Sequence, residues 1–394
     1  METRWSVRGY PGAPADALAR LKSLALGPPG EPRTDGLDLT VTNPEVLGLV
    51  WPEARNLVAR ASREPYRPEA AGPQQAREAI ARTYRARLGQ RGDRITPDDV
   101  LVTASTSESY SFLLHALCDP GDAVLVPRPS YPLLPDLARL ADVRLVPYDV
   151  RYAGHFQIDP SSLPSREEMT RERVRAVIIV SPNNPTGHFT SADELALLAS
   201  LGVPLVVDEV FRPFPSGERA IAADPLVHPG PLFLLDGLSK RAGLSGLKAG
   251  WIAVVGAAPF RNEARSRLEA IADTFLGVSA AAQNALPELL AHDVELGAAI
   301  RARLAENLAA LRAQVRSSPL TLLEPEGGWS AIVRLPAVRS EESYFEELAA
   351  AGVWAQPGTL YELPLAPCFV VSLLCPPEQL SAGMSRLLEL TPQR

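Results

Sequence analysis

Between residues 100 and 255 the chain alternates short apolar runs, rich in β-branched residues, with stretches that repeat at helical spacing. The apolar runs are 100–103, 123–126, 143–146, 174–180, 203–207, 232–235 and 251–255. The helical stretches between them are 106–118, 132–140 and 191–201. These runs are apolar at successive positions, not at every second one, which is the pattern of strands covered on both faces. Strands and helices in alternation predict an α/β fold with a mostly parallel, seven-stranded sheet.

The flanks read differently. A short helix is expected at 16–26 and a short strand at 37–41. Gly72-Pro73 opens a helix that runs to Leu88, with Gly89 as its stop. A long helical region spans 262–316 and is expected to break near Gly277 and Pro287. Beyond residue 317, strand-like runs at 329–335 and 369–374 flank helices at 341–351 and 377–390, a smaller α+β unit. We therefore expect a large domain over 45–285 and a small domain made of 1–44 with 286–394. The N-terminal segment packs on the C-terminal part, since chain ends often lie close together.

Composition narrows the function. The 394 residues, 46% of them hydrophobic, suit two domains. The net charge is −7 and no Lys/Arg block stands out, which argues against nucleic acid as a partner. Cys118, Cys368 and Cys375 are too few and too scattered for a disulfide framework or a zinc site, which points to a reducing, cytoplasmic setting. No signal-peptide core follows Met1, and no apolar run is long enough to span a membrane. The 38 prolines are dispersed between elements and stiffen loops.

In open α/β sheets, ligands bind at the carboxyl ends of the strands, so the residues that follow each apolar run carry the chemistry. Ser105, Thr106 and Ser107 stand where a helix begins. They suit an anion held by free N–H groups and hydroxyls, and Ser105 with Glu108 also suits an ordinary capping box. Tyr131 can stack on a planar ring, or pack beneath the next helix. Ser181-Pro182-Asn183-Asn184-Pro185-Thr186-Gly187 is a rigid turn that presents Asn184. Asp208 ends an apolar strand, where an unpaired carboxylate is costly and wants a cation; as a helix cap it would need none. Lys240 follows the run 232–235 and precedes a Gly-rich bend. Burial there lowers its pKa and suits a Schiff base with an aldehyde cofactor, whereas a lysine that reaches out to solvent needs no such role. An anion cradle, a ring, an amide, a carboxylate and a lysine at successive strand ends make the argument as an ordered set.

That set resembles the class I/II aminotransferases, the aspartate-aminotransferase-like pyridoxal 5'-phosphate (PLP) enzymes of fold type I, over roughly residues 37–388. The resemblance implies a large PLP-binding domain, a small domain and a homodimer with shared active sites. It implies an enzyme with PLP as cofactor that moves an amino group from an amino acid to a 2-oxo acid, in two half-reactions, as part of a biosynthetic process. By the same resemblance Lys240 is the Schiff-base lysine and the general base. Asp208 holds the pyridine nitrogen protonated, Asn184 donates to the ring oxygen, and Tyr131 stacks on the ring. Ser105, Thr106 and Ser107 hold the phosphate, and Tyr66 reaches the phosphate of the neighbouring subunit.

The chain also departs from the pattern. Phe211 stands where a tyrosine is common. Lys248 replaces an arginine on the phosphate, and a lysine cannot fork onto it. Gly237 replaces a serine. Val370 stands where an arginine usually grips the substrate carboxylate, leaving Arg212, Arg334, Arg4, Arg8 and Arg33 as replacements. Asn184 to Gly187, Phe211-Arg212 and Lys248 also resemble PLP enzymes that oxidise or cyclise arginine derivatives. A PLP-dependent lyase, oxidase or cyclase is therefore the alternative outcome. A PLP-binding regulatory module ranks below both, since such proteins carry a DNA-binding domain before this region.

Overall fold

The computed structural model describes residues 15–217, 223–228, 230–365 and 367–391. After a two-residue strand, Leu37–Asp38 (β1), eight strands form the large sheet: Val100–Thr103 (β2), Ala123–Arg128 (β3), Arg144–Tyr152 (β4), Phe156–Ile158 (β5), Val174–Val180 (β6), Leu205–Asp208 (β7), Leu232–Gly237 (β8) and Gly250–Val255 (β9). Their order across the sheet is β2-β9-β8-β7-β6-β3-β4-β5. β4, β3, β6, β7 and β8 are mutually parallel, while β9 lies antiparallel between β8 and β2. The seven expected strands are present. The eighth, β5, folds back antiparallel on β4 and is too short to leave a signature in the sequence.

The successive apolar positions have a direct structural reading. Side chains alternate between the faces of a strand. Leu125, Val177, Ile179, Val207 and Leu234 join one hydrophobic cluster, with Ile80 and Ala79 of helix Gln74–Leu88 and Leu286 and Leu289 of helix Ala280–Ala291. Their sequence neighbours Val124, Val126, Ile178, Val206 and Phe233 join another, with Leu113 of helix Thr106–Leu117 and Leu268 of helix Ala258–Phe275. Each such side chain taken out of water contributes about 2 kcal/mol. A sheet buried on both sides presents the carboxyl ends of its parallel strands as the place where polar chemistry can open to a ligand.

The smaller unit has its own core. Thr321–Leu323 (β10) and Ser330–Arg334 (β11) are followed by Val353–Trp354 (β12), Gln356–Pro357 (β13) and Cys368–Ser372 (β14). The antiparallel sheet runs β10-β11-β14-β13, and β12 pairs in parallel with β1. Leu308, Leu311, Val333, Tyr344, Phe369, Val371 and Met384 pack in one cluster with Leu39 of the N-terminal segment.

Three local expectations are corrected. The strand expected at 37–41 is only β1, because Thr40 turns its N–H and its hydroxyl to Asp38 Oδ1 at 2.8 and 2.6 Å and so leaves the pairing. A helix at Pro52–Ala61 was not anticipated. It carries the usual start signals, Pro52 and Glu53, but buries only Ala54 and Leu57, too narrow a stripe to show as periodicity. Pro287 lies inside helix Ala280–Ala291 and does not break it; the turn comes at His292. Leu286, Leu289 and Leu290 are buried around it, and their packing outweighs the hydrogen bond that proline cannot make.

Candidate active site

A cavity of about 440 Å³ opens where the carboxyl ends of β3, β6, β7 and β8 meet the small sheet. β6 lies between β7 and β3, so chain order reverses there, and the loops after β3 and β6 diverge and leave a crevice. Asn183 Nδ2 donates to Pro129 O at 3.3 Å and stitches the two loops together, and Thr186 Oγ1 donates to Asn183 Oδ1 at 3.0 Å. Asn183 thereby serves the fold. Its neighbour Asn184 lines the cavity, where Ser330 Oγ approaches its Oδ1 at 3.5 Å.

Asp208, the last residue of β7, is 6% exposed and lines the cavity. Its Oδ2 accepts from Tyr110 Oη at 3.0 Å and its Oδ1 from Val210 N at 3.0 Å. Burial pushes its carboxyl up to about 7 against these two donors, and the nearby Asp236 and Glu209 push the same way. Lys240 lies in the short helix Leu238–Arg241 directly after β8, and burial lowers its pKa while the Asp208 charge resists. Its Nζ stands 5.0 Å from the Trp329 ring centre and 5.8 Å from that of Phe211. Lys240 and Asp208 are the only charged side chains among the described lining residues, and neither forms an ion pair with another described residue. By contrast, Glu209 beside Asp208 is held by Arg87 and Arg212 at 2.7 Å each, and Asp236 by Arg241. The fold thus pairs the two buried carboxylates beside Asp208 with arginines and leaves Asp208 and Lys240, which face the cavity, without an ion-pair partner among the described residues.

At the opposite end the helix Thr106–Leu117 begins. Ser105 is its N-cap, accepting from Glu108 N at 3.1 Å, while Glu108 Oε2 accepts from Ala104 N at 2.6 Å and not from Ser105. Ser105 thus gives an acceptor lone pair to the cap and keeps its O–H, but it does not line the cavity. Thr106 lines the cavity, and Ser239 joins it from the segment before Lys240; Ser107 is not part of the lining. Gly237 has a steric reason: a Cβ there would lie 2.9 Å from Ala249 O, so a side chain does not fit. Lys248 is exposed, in a left-handed conformation (φ 57°), and lies outside the lining, as does the exposed Tyr66.

Aromatic rings form the walls. Tyr131 lines the mouth at 40% exposure. Phe211 packs edge-on to Trp329 with ring centres 5.5 Å apart, and Phe214 supports Trp329 from behind at 5.4 Å. Val370 is 2% exposed and belongs to the apolar core, not the lining. Of the arginines considered for the substrate, Arg212 is bound to Glu209 and to Ala223 O, Arg33 to Asp35, and Arg334 is exposed. None of these three lines the cavity; Arg4 and Arg8 lie outside the described residues.

Several lining residues escaped sequence reasoning: Tyr110, Ser239, Trp329, Ser330, Gln356 and Tyr361, with Thr40 and Thr42. Tyr110 lies one helical turn past Thr106, so the helix start was a usable signal for it. Trp329, Gln356 and Tyr361 come from the small unit and reach the site only through tertiary packing.

The fold and the site together define an enzyme built around a buried lysine–carboxylate pair at strand ends. A family model described as aminotransferase class I and II matches residues 49–387, and the chain belongs to that family. A probable aminotransferase of Arabidopsis thaliana is 32% identical over 197 residues, which cover 47% of this chain and 41% of the relative. The alanine aminotransferase of Mycobacterium tuberculosis is 30% identical over 227 residues, covering 56% and 52%. An S-alkyl-thiohydroximate lyase of Arabidopsis thaliana is 30% identical over 172 residues, covering 41% and 35%. The chain thus spans about half the length of the curated relatives it matches, or less. Among solved structures, the alanine aminotransferase of Pyrococcus furiosus superposes with a TM-score of 0.86 at 23% identity, covering 98% of this chain and 99% of that one. The tyrosine aminotransferase of Leishmania infantum gives 0.84 at 19% identity, covering 99% and 98%. Both share the fold.

Proposed function

We propose that this chain is a PLP-dependent aminotransferase that carries an amino group from an amino compound to a 2-oxo acid. The observation that carries the proposal is the uncompensated pair facing one cavity, a buried carboxyl and a desolvated amine. The residues fit PLP. A protonated ring nitrogen is the cation Asp208 lacks, an amine is what the aldehyde needs, and the Thr106 and Ser239 hydroxyls beside a helix N-terminus suit a phosphate. Bound PLP supplies a carbonyl that captures the amine and a ring that accepts the electron pair released at the substrate carbon.

The chain's own residues do the rest. Asp208, oriented by Tyr110 and Val210 N–H, holds the ring nitrogen's proton. Asn184 offers its amide to the ring edge, and Tyr131 offers its ring. Lys240, its charge disfavoured by burial, takes a proton from the substrate carbon and returns it to the other side of the transferred group. Phe211 and Trp329 exclude water around Nζ. The relative that is a lyase favours a second reading, elimination or cyclisation, which begins with the same proton transfer. The test is the visible spectrum of protein loaded with PLP while amino donors and then a 2-oxo acid are added. Reversible loss of the cofactor band is expected of the aminotransferase, and release of ammonia or a cyclised product of the second reading. A Lys240→Ala protein with full turnover would exclude both.

The proposal includes a homodimer. Tyr66, Phe275 and Leu276 are 52%, 59% and 78% exposed, and the Tyr66 hydroxyl is 3.0 Å from where a Cβ on Gly277 would lie. This apolar patch supports a second copy as its cover.

A further inference from the structure

We propose that Gln356, held by Tyr361, donates to the group the substrate carries in place of a carboxylate, and that among amino donors the site prefers those in which this group is uncharged: an amide, an ester or an alcohol. The inference rests on the amino-transfer reading above and names the substrate class of the same cavity.

Strands β13 and β14 form the cavity wall that the small sheet supplies. Gln356 pairs directly across from Val370, and directly opposed residues of an antiparallel pair share a face of the sheet. On that face Gln356 and Ser372 line the cavity, and Val370 is sunk into the core. Ser372 is committed to the fold, since its hydroxyl donates to Val41 O at 2.6 Å and accepts from Leu374 N at 3.1 Å. Gln356 is half-buried and only half committed. Tyr361 Oη donates to its Oε1 and fixes the amide, so the Nε2 group, which has no described partner, is left for a ligand. Tyr361 is 7% exposed, and burial pushes its hydroxyl up to about 12, so it stays a donor.

Among the described residues the wall therefore offers the neutral N–H donors of Gln356 and no guanidinium. A carboxylate placed against it would lose its water and gain no countercharge from the described residues, with Lys240 engaged in the chemistry and Asp208 matched to the ring nitrogen. A neutral acceptor loses far less water and finds its donor in place. A site built this way discriminates by the charge of the group it must desolvate.

The test uses protein loaded with PLP and two matched pairs, L-alanine with L-alaninamide and L-tyrosine with L-tyrosinamide. Loss of the cofactor's visible band reports the amino-accepting half-reaction. Each amide is expected to exceed its acid in kcat/KM by about tenfold or more. Gln356→Leu is expected to lower the amide rates by about tenfold with the unreacted band unchanged. Gln356→Arg, which places a guanidinium on the half-buried wall, is expected to reverse the preference in favour of the acids. Amides no faster than their acids, no reaction with any amide, or a Gln356→Leu protein with its full amide rate would each overturn the inference while a normal cofactor band left the function standing. A protein that takes up no PLP would overturn both.

Discussion

Asp208 and His188 are both buried and both shifted upwards, for different reasons, and each predicts stability that falls as pH rises. The Asp208 carboxyl is raised from 3.8 to about 7, so between those values the folded chain holds the proton more tightly than the unfolded one. Its charge therefore lowers the stability of the ligand-free protein as pH rises through that window. Asp208→Asn keeps one oxygen for Val210 N–H, turns its amide NH2 towards the Tyr110 hydroxyl, which can accept, and removes the charge. Turnover is expected to fall about a hundredfold, while thermal melts of the ligand-free variant show no loss, and above pH 7 a gain. His188 lies between Glu194 at 3.0 Å and Glu326 at 3.2 Å, and these carboxylates push it from 6.5 up to about 9 against the cost of burial. The stabilisation is fully present below 6.5 and is lost as pH rises through about 9. Melting curves from pH 6 to 10 should show wild type losing stability above neutrality and His188→Gln changing much less; parallel curves would refute the assignment.

At the scale of elements, the site depends on how loops lean on one another. The loop after β6 carries Asn184 and packs on the loop that precedes β11 and carries Trp329. Gly187 sits at φ 72°, and a Cβ there would come within 2.6 Å of Gly327 O and 2.7 Å of Pro325 Cβ. Gly187→Ala strains the backbone and separates the two loops at once. A loss of more than about 1 kcal/mol in urea unfolding is expected, together with weaker PLP uptake because Asn184 moves. This coupling explains which elements were legible. β7 and β8 are fully buried strands, as is β6 but for Arg175, and their apolar runs announce them, so the residue at each carboxyl end could be named in advance: Asn184, Asp208, Lys240. β5 and the helix Pro52–Ala61 bury too little to leave a pattern. Pro287 misleads because a breaker is a local signal, overruled here by the packing of Leu286 and Leu289. Ser105 is ambiguous in the sequence for a related reason, since its oxygen suits a cap and its O–H an anion; the structure shows the cap bond and leaves Ser105 outside the lining.

At the scale of the molecule, two sheets meet over the cavity, and Ile332 and Val370 of the small one join the hydrophobic cluster of the large one. The large sheet contributes the charged pair, and the small sheet contributes Trp329, Gln356 and Tyr361. The exposed patch of Tyr66, Phe275 and Leu276 bears on assembly. Leu276→Asp is expected to convert a dimer of twice the chain mass to a monomer in light scattering, with the melt otherwise little changed; a wild-type monomer at micromolar concentration would refute the dimer. The sequence by itself determined the α/β architecture and the order of chemistry along the strand ends, because apolar periodicity and strand-end position are properties of consecutive residues. Only the tertiary structure decided which hydroxyls reach the cavity, that Lys248 and Tyr66 stay outside its lining, and that a neutral wall faces the lysine. Those facts depend on residues more than a hundred positions apart in the chain, brought together by the packing of two cores, and no local pattern encodes them.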